Sequence, residues 1–299
     1  MWLHRLEHQP WHLADWLAHP GRDEYWKHGS VCEDYSAITA AVLSIGGWHD
    51  GYRNTISHLV ENLDAPVKGI VGPWNHKYPH YAGPKPAIGF LQEAKRWWDK
   101  WLKGIDTGVE DDPAFRGYVM EGYRPSRFNE PRDGVWIADE ATGGEMHDYP
   151  LGPDGQLGRE GETRVQIASP AHCGLGGGEY YAIGRGPELC DDQRMDDLYS
   201  AVWTGPVLAR SVDIVGRPKV RLSLSSDAPQ GQICVRLNHV HPDGASTRVS
   251  FGVLNLTHRN SSASPEAMPV GEAVEIELAL DHIAYRVPEG HKIAVAIST

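Results

Sequence analysis

The sequence predicts an α/β region followed by an all-β region, and three observations lead to this fold class. Residues 40–71 combine short apolar runs with one amphipathic helix, whereas alternation of apolar and polar residues dominates after residue 113. Glycine and proline number 33 and 21 among the 299 residues and are spread along the chain. Such a distribution is typical of a protein with many turns and a large β component.

Residues 40–71 have the pattern of a strand, a helix and a second strand. Residues 40–45 form a short apolar run that ends at two glycines, and residues 67–71 form another. Between them, Ile56, Leu59, Val60 and Leu63 follow helical spacing and predict an amphipathic helix over residues 53–63. Such a unit closes as a right-handed crossover between parallel strands.

A second helix is predicted over residues 87–103, and Gly104 is well placed to end it. The residues expected on its buried side are Ile88, Leu91, Ala94, Trp98, Trp101 and Leu102.

The remainder of the chain predicts an antiparallel sandwich. Five stretches of period-two alternation are separated by turns such as the Pro-Asp-Gly at 242–244. Their apolar positions are Val220, Leu222, Leu224; Ile233, Val235, Leu237; Val249, Phe251, Val253; Val274, Ile276, Leu278, Leu280; and Ile293, Val295, Ile297.

The composition argues against two classes of partner. Lys and Arg number 28 against 40 Asp and Glu, which gives a formal net charge of −12. A nucleic-acid binder needs a basic patch, so no nucleic-acid partner is predicted. No apolar run approaches the roughly 18 residues of a membrane span, so no membrane association is predicted. Nothing in the sequence indicates a cofactor, and the oligomeric state is left open.

The four cysteines, Cys32, Cys173, Cys190 and Cys234, form no Cys-x-x-Cys pair. They are predicted to be reduced, small, buried residues, with a disulfide between Cys173 and Cys190 as the alternative.

Two ionisable residues directly follow the predicted parallel strands. Asp50 comes after the first strand and His76 after the second. Reactive groups of an open parallel sheet collect beyond the carboxyl ends of its strands, so a carboxylate and an imidazole placed there can meet. The carboxylate would then fix the ring tautomer. Equally open at this point is that Asp50 caps the following helix and His76 is an ordinary loop histidine.

Three histidine spacings suggest metal ligands, but each has a simpler interpretation. His239 and His241 precede a turn, and no glutamate follows them at a suitable distance, so they are predicted to lie at a solvated strand end. The helical spacing of His76 and His80 is interrupted by a proline, as is that of the histidines at positions 4, 8 and 12. No metal site is therefore predicted.

Several segments, taken in their order along the chain, are similar to those of a known family. GGWHDGYRNT and GIVGPWNHKYPH resemble the Asp and His segments of the cocaine esterase and α-amino-acid ester hydrolase family, which is related to the X-Pro dipeptidyl-peptidases. FLQEAKRWWDKWLKGIDTG resembles the helix after that histidine, and DDQRMDDLYSAVWTGPVL and DHIAYRVPEGHKIAVAIST resemble the C-terminal jelly roll. The resemblance implies a hydrolase that acts on small esters or amides through a Ser-His-Asp triad.

By position, the resemblance assigns Asp50 as the triad acid and His76 as the triad base. It implies that residues 1–30 are a remnant of a helical cap, residues 31–125 the C-terminal half of an α/β-hydrolase domain, and residues 126–299 a truncated jelly roll. Substrate contacts from Trp48, Trp74 or Trp26 are a further possibility.

The nucleophile of the family is missing. A Gly-x-Ser-Tyr-x-Gly elbow does not occur, and the serines before Asp50 are Ser30, Ser36 and Ser44, none on a strand-to-helix turn. We therefore expect a piece of a longer hydrolase that is inactive alone. The alternative is a non-catalytic jelly-roll module that binds carbohydrate or protein, in which Asp50 and His76 would lie far apart.

Overall fold

A computed structural model describes residues 1–138 and 144–299. The helices are α1 (Trp2–His8), α2 (His12–Ala18), α3 (Glu24–Lys27), α4 (Arg53–Asn62), α5 (Phe90–Lys103) and α6 (Arg194–Asp197). The strands are β1 (Val42–Gly47), β2 (Val67–Gly72), β3 (Phe115–Glu121), β4 (Gly134–Ala138), β5 (Ala201–Thr204), β6 (Val212–Gly216), β7 (Lys219–Leu224), β8 (Gln232–Val240), β9 (Ser246–Asn255), β10 (Val274–Ala279), β11 (Ile283–Val287) and β12 (Lys292–Ser298).

The predicted strand–helix–strand unit is confirmed as β1, α4 and β2. β1 and β2 pair in parallel, in a register that runs from Val42 opposite Val67 to Gly47 opposite Gly72. β3 continues the parallel sheet beside β2. Because both β1 and β2 run in the same direction, the residues that follow them emerge at one edge of the sheet.

The same sheet extends into the C-terminal part of the chain, which the sequence did not predict. β11 pairs in parallel with β3 and antiparallel with β6, while β4 pairs antiparallel with β3. One apolar core includes Trp48 and Val71 from the first part and Ile283 and Tyr285 from β11. The sheet and its core therefore cross the boundary predicted near residue 125.

The five period-two stretches form the predicted antiparallel strands. One sheet has the order β5-β12-β8-β9, and β10 pairs with β7 in a second sheet. A core of apolar side chains fills the space between them, with Val235 and Ile297 from the four-stranded sheet and Ile276 and Leu278 from β10. Period-two alternation points one side of each strand into this core.

The predicted buried side of α5 is wrong at three positions. Leu91, Trp98 and Leu102 are exposed, with Trp98 at 51%, and the fully buried aromatic side chain is Trp97. Asp99 is also buried and accepts hydrogen bonds from the lysines on either side of it along the helix, Lys95 and Lys103. The helix does end at Gly104, whose left-handed φ of 68° suits glycine.

Polar contacts join α4 to the start of β11. The Arg53 guanidinium lies 3.3 Å from the Asp281 carboxylate, and the Asn54 amide donates to the same carboxylate at 2.8 Å. The backbone N–H of His282 donates to Asn54 Oδ1 at 2.8 Å. These contacts hold the helix of the parallel unit against the C-terminal strands.

The first 30 residues contain three short helices without buried residues. α1 and α2 are separate, as the proline at position 10 predicts, so no single helix aligns the first histidines. All four cysteines are free, so the alternative of a Cys173–Cys190 disulfide is not observed. The prediction that they are buried is wrong, because Cys32 is exposed and the other three are half-buried. Within residues 1–138 and 144–299, no helix is long and apolar enough to cross a membrane.

Substituting Gly47 by alanine tests the packing of the strand ends. A Cβ atom at Gly47 would overlap the carbonyl oxygen of Trp74. We expect Gly47→Ala to lower the free energy of unfolding by at least about 2 kcal/mol, because the two backbones must separate. Urea unfolding followed by tryptophan fluorescence measures this, with Gly29→Ala as the control, since nothing lies within 4 Å of a Cβ there. Equal stability of the two variants would contradict the packing.

His282 should make stability depend on pH. Burial, followed by the positive charges of His58 and Arg217, lowers the pKa of His282 from 6.5 to about 4. The folded protein therefore binds this proton less readily than the unfolded chain, so the contribution is complete above pH 6.5 and is lost as the pH falls towards 4. Between pH 7 and 4.5, the free energy of unfolding should fall by about 1–2 kcal/mol less in His282→Gln than in the parent protein. This range already allows for the partial solvation of the ring.

Urea unfolding at several pH values measures this effect, and His80→Gln is the control because His80 is exposed. The same pH slope in the His282 and His80 variants would refute the assignment.

Candidate active site

The ends of β1 and β2 approach each other closely, and this contact builds the site. The backbone N–H of Trp48 donates to the Gly72 carbonyl at 2.9 Å, and the N–H of His49 donates to the Trp74 carbonyl at 3.0 Å. Gly47 permits this approach because it lacks a Cβ atom. The pairing thus continues past the strands and carries the next residues, Asp50 and His76, towards each other.

Asp50 and His76 form a direct hydrogen bond. His76 Nδ1 lies 2.9 Å from Asp50 Oδ2. Because a carboxylate can only accept, Nδ1 donates, and the lone pair of the neutral ring is left on Nε2. Asp50 is buried, with 9% of its side chain exposed, whereas 42% of the His76 side chain is exposed. The pair therefore exposes part of its imidazole and keeps its carboxylate buried.

Asp50 fulfils the alternative role of a helix cap only in part. Asp50 Oδ1 accepts from the backbone N–H of Tyr52 at 2.9 Å, and the Asp50 carbonyl accepts from Arg53 Nε at 2.6 Å. α4 begins at Arg53 and its N-cap position, Tyr52, makes no side-chain cap bond. One carboxylate oxygen thus orders the turn before the helix, and the other remains directed at His76.

A loop from the C-terminal part of the chain covers the pair. The Tyr181 ring lies over the His76 ring, with 4.4 Å between centroids, and the Ala182 carbonyl accepts from the His76 backbone N–H at 2.9 Å. The Tyr180 hydroxyl donates to the Gly51 carbonyl at 3.0 Å. Sequence reasoning missed these residues, because no local pattern relates them to a histidine about 100 positions earlier.

Glu188 gives this loop its shape. One oxygen of its carboxylate accepts from the backbone N–H groups of Ile183, Gly184 and Arg185 at 3.1, 2.5 and 3.1 Å. Glu188 is buried, and a buried carboxylate is tolerated where several N–H groups satisfy it. The loop is therefore held in one conformation beside His76.

The suggested tryptophan contacts with substrate gain no support at Trp48 and Trp74. Both are buried, and their indole N–H groups donate to the carbonyls of Tyr118 and Pro86, each at 2.7 Å. Their buried rings and these hydrogen bonds stabilise the strand ends. Trp26 is 38% exposed and donates to the His19 carbonyl.

The serines before Asp50 do not complete a triad in this chain. The hydroxyl of Ser30 donates to the Trp26 carbonyl at 2.9 Å, and that of Ser36 donates to Asp34 at 2.5 Å. Ser44 lies inside β1. In the described part of the chain, no serine hydroxyl forms a hydrogen bond with His76.

The prediction of a solvated strand end for His239 and His241 is wrong. Both are buried, at 0% and 6% exposure, because the four-stranded sheet packs that end of β8 beneath the segment around Tyr123 and Tyr285. His291 lies against His239. Burial, and then the charges of the two other histidines, lowers the pKa of His239 to about 3, and burial also lowers the pKa of His241 and His291. The three rings are therefore neutral at pH 7.

Comparison with solved structures gives the class of the fold. The chain aligns over 96% of its length with 52% of an aminopeptidase from a marine sediment Thaumarchaeota archaeon, at a TM-score of 0.69 and 20% identity. It aligns over 98% of its length with 53% of an α-amino acid ester hydrolase, at a TM-score of 0.69 and 16% identity. The fold is thus that of the mixed α/β, sheet-rich hydrolases of the CocE/NonD type.

The family follows from the sequence matches. Residues 107–299 match the X-Pro dipeptidyl-peptidase C-terminal non-catalytic domain, and residues 1–78 match X-Pro dipeptidyl-peptidase of the S15 family. The chain belongs to the family defined by this C-terminal domain, which confirms the resemblance seen in the sequence.

Curated relatives agree with the family. Cocaine esterase of Rhodococcus sp. (strain MB1 Bresler) is 26% identical over 319 residues, which cover 97% of this chain and 54% of the esterase. The Xaa-Pro dipeptidyl-peptidase of Lactobacillus helveticus (strain DPC 4571) is 22% identical over 92% of this chain and 39% of that protein. The chain spans about half the length of these relatives or less.

Asp50→Asn tests the contact with His76. The asparagine amide can donate to Nδ1, so we expect the ring proton of His76 to move from Nδ1 to Nε2 in most molecules. Long-range ¹H–¹⁵N correlation spectra of the imidazole distinguish the two tautomers. Asp64→Asn is the control, because Asp64 is exposed. A parent protein with the His76 proton on Nε2 would contradict the hydrogen bond.

Proposed function

We propose that Asp50 and His76 are the acid and base of a Ser-His-Asp triad that hydrolyses small esters or amides. The observation that carries the proposal is the 2.9 Å hydrogen bond between His76 Nδ1 and Asp50 Oδ2 at the ends of two parallel strands. Hydrolysis of an ester or a peptide bond is named for both curated relatives, the cocaine esterase and the Xaa-Pro dipeptidyl-peptidase.

The chemistry follows from the roles that the geometry allows. A serine hydroxyl near His76 Nε2 would lose its proton to that nitrogen as its oxygen attacks the acyl carbonyl. The imidazolium formed in this step is stabilised by the Asp50 carboxylate, which remains ionised. His76 then returns the proton to the leaving alcohol or amine, which leaves the acyl group on the serine. A water molecule that gives its proton to His76 next attacks this acyl-serine, and His76 returns the proton to the serine oxygen as the carboxylic acid is released. The Tyr181 ring packs against the His76 ring, with 4.4 Å between the ring centroids.

We further propose the domain organisation that the resemblance implies. Residues 1–30 correspond to a remnant of a helical cap, residues 31–125 to the C-terminal half of an α/β-hydrolase domain, and residues 126–299 to a jelly roll. The parallel strands β1 to β3 and the antiparallel sheets after residue 200 support this division. β11 and β6 complete the sheet that begins in the hydrolase part, so the two parts share a core.

The serine and the donors that would stabilise the oxyanion are proposed to come from sequence that corresponds to the other half of the relatives. In this chain Ser30 and Ser36 are bonded to other groups and Ser44 lies within a strand. We therefore propose that the chain alone does not hydrolyse esters. The missing nucleophile is expected to cost several orders of magnitude in rate.

The alternative of a non-catalytic binding module has less support. A module that only binds carbohydrate or protein is expected to leave Asp50 and His76 far apart. The Asp50–His76 hydrogen bond and the ordered loop over it favour the enzymatic interpretation.

A fluorophosphonate probe and a p-nitrophenyl ester test the proposal. The chain alone should show no labelled serine and no hydrolysis above that of His76→Ala. When a fused N-terminal segment supplies a Gly-x-Ser-Tyr-x-Gly elbow, we expect labelling at its serine and a fall of about 10³-fold or more in kcat with His76→Ala. Asp64→Asn in the extended protein is the control for non-specific effects.

Stoichiometric labelling of Ser30, Ser36 or Ser44 in the chain alone would overturn the proposed inactivity. Full activity of the extended protein with His76→Ala would overturn the role of His76.

A further inference from the structure

Three histidines lie on one side of the four-stranded sheet, at the same end of two neighbouring strands. In the antiparallel pairing of β8 and β12, His239 is opposite Ile293 and Val240 is opposite Lys292. Continuing this register places His241, two residues after His239, opposite His291, two residues before Ile293. Residues two apart on a strand point to the same side, so the three imidazoles converge.

The ring nitrogens are close enough to share one ion. One nitrogen from each of His239, His241 and His291 lies within 4.8 Å of the other two. His239 Nε2 is 2.6 Å from His291 Nδ1, and the ring centroids of His239 and His241 are 4.0 Å apart. His239 and His241 are buried and His291 is partly exposed, so an ion would enter past His291.

Neighbouring hydroxyl groups contact one ring nitrogen of His239 and one of His241. His239 Nδ1 is 2.8 Å from the Tyr285 hydroxyl, and His241 Nε2 is 3.0 Å from Thr247 Oγ1. Thr247 donates its own proton to the Tyr123 carbonyl at 2.8 Å, so its oxygen accepts from His241 Nε2 and the lone pair of that ring lies on Nδ1. Such outer contacts fix the tautomer of metal-binding histidines.

We propose that His239, His241 and His291 bind a zinc ion or a similar divalent transition metal. Neutral imidazole is a preferred zinc ligand, and three histidines with one water complete a tetrahedral site. The nearby carboxylate of Asp243 accepts two hydrogen bonds from Arg124 and one from the Ala245 N–H, so it is already occupied. The fourth position is therefore left to water.

Metal binding requires a small rearrangement of protons and rings. His239 Nε2 and His291 Nδ1 now share one proton, whereas two ligands of a tetrahedral zinc ion are about 3.3 Å apart, given Zn–N distances near 2.0–2.1 Å. His239 would keep its proton on Nδ1, donated to Tyr285, and His291 would carry its proton on Nε2. Each ring stays neutral and offers one lone pair to the ion.

Binding of Zn²⁺ and Co²⁺ to the untagged chain tests the proposal. We expect one high-affinity site by calorimetry, visible d–d absorption of four-coordinate Co²⁺, and a rise in Tm with Zn²⁺. His291→Asn removes a partly exposed ligand and should weaken binding by at least about 100-fold. Tyr285→Phe should weaken it by about 10–100-fold, because it removes the group that orients His239.

The exposed histidines of the first helices are the main competing site. A variant with His4→Gln, His8→Gln and His12→Gln is the matched control and should keep both the affinity and the Co²⁺ spectrum, since these residues lie in exposed helices. Circular dichroism of His291→Asn establishes that it is folded. Binding that survives in His291→Asn and disappears in the triple variant would overturn the proposal, as would the absence of the Co²⁺ bands from the parent chain.

Discussion

The close approach of two parallel strand ends is the constraint on which the candidate site depends. Gly47 brings its backbone against the Trp74 carbonyl, and the N–H groups of Trp48 and His49 continue the pairing beyond β1 and β2. Without this approach, Asp50 and His76 would occupy separate turns. Backbone packing therefore determines the distance between two side chains that lie 26 residues apart.

Local sequence patterns are sufficient to predict much of the fold. The helical spacing over residues 53–63 and the short apolar runs on either side predict β1, α4 and β2, because period and length are properties of a few neighbouring residues. The same reasoning predicts the antiparallel strands of the C-terminal part. For the site, it predicts that Asp50 and His76 lie at strand ends, and the structure shows that they meet.

Contacts between distant segments could not be predicted in the same way. The apolar residues of α5 at Leu91, Trp98 and Leu102 follow a helical stripe, yet the helix buries Trp97, because packing partners decide which side is covered. Tyr181 reaches His76 through a loop ordered by Glu188. His291 joins His239 through a register set by strand pairing across 52 residues, and neither sequence segment alone indicates that contact.

The loop that Glu188 orders and the pairing of β3 with β11 both tie the C-terminal part of the chain to the candidate site. Because the C-terminal part holds the backbone beside His76, an exchange of that part between two relatives would replace the support of the histidine as well. In a chimeric enzyme, the loop at residues 179–188 would no longer fit the turns at residues 47–51 and 72–76 unless all three segments are exchanged together. Recombination breakpoints should accordingly spare these three segments as one co-inherited unit.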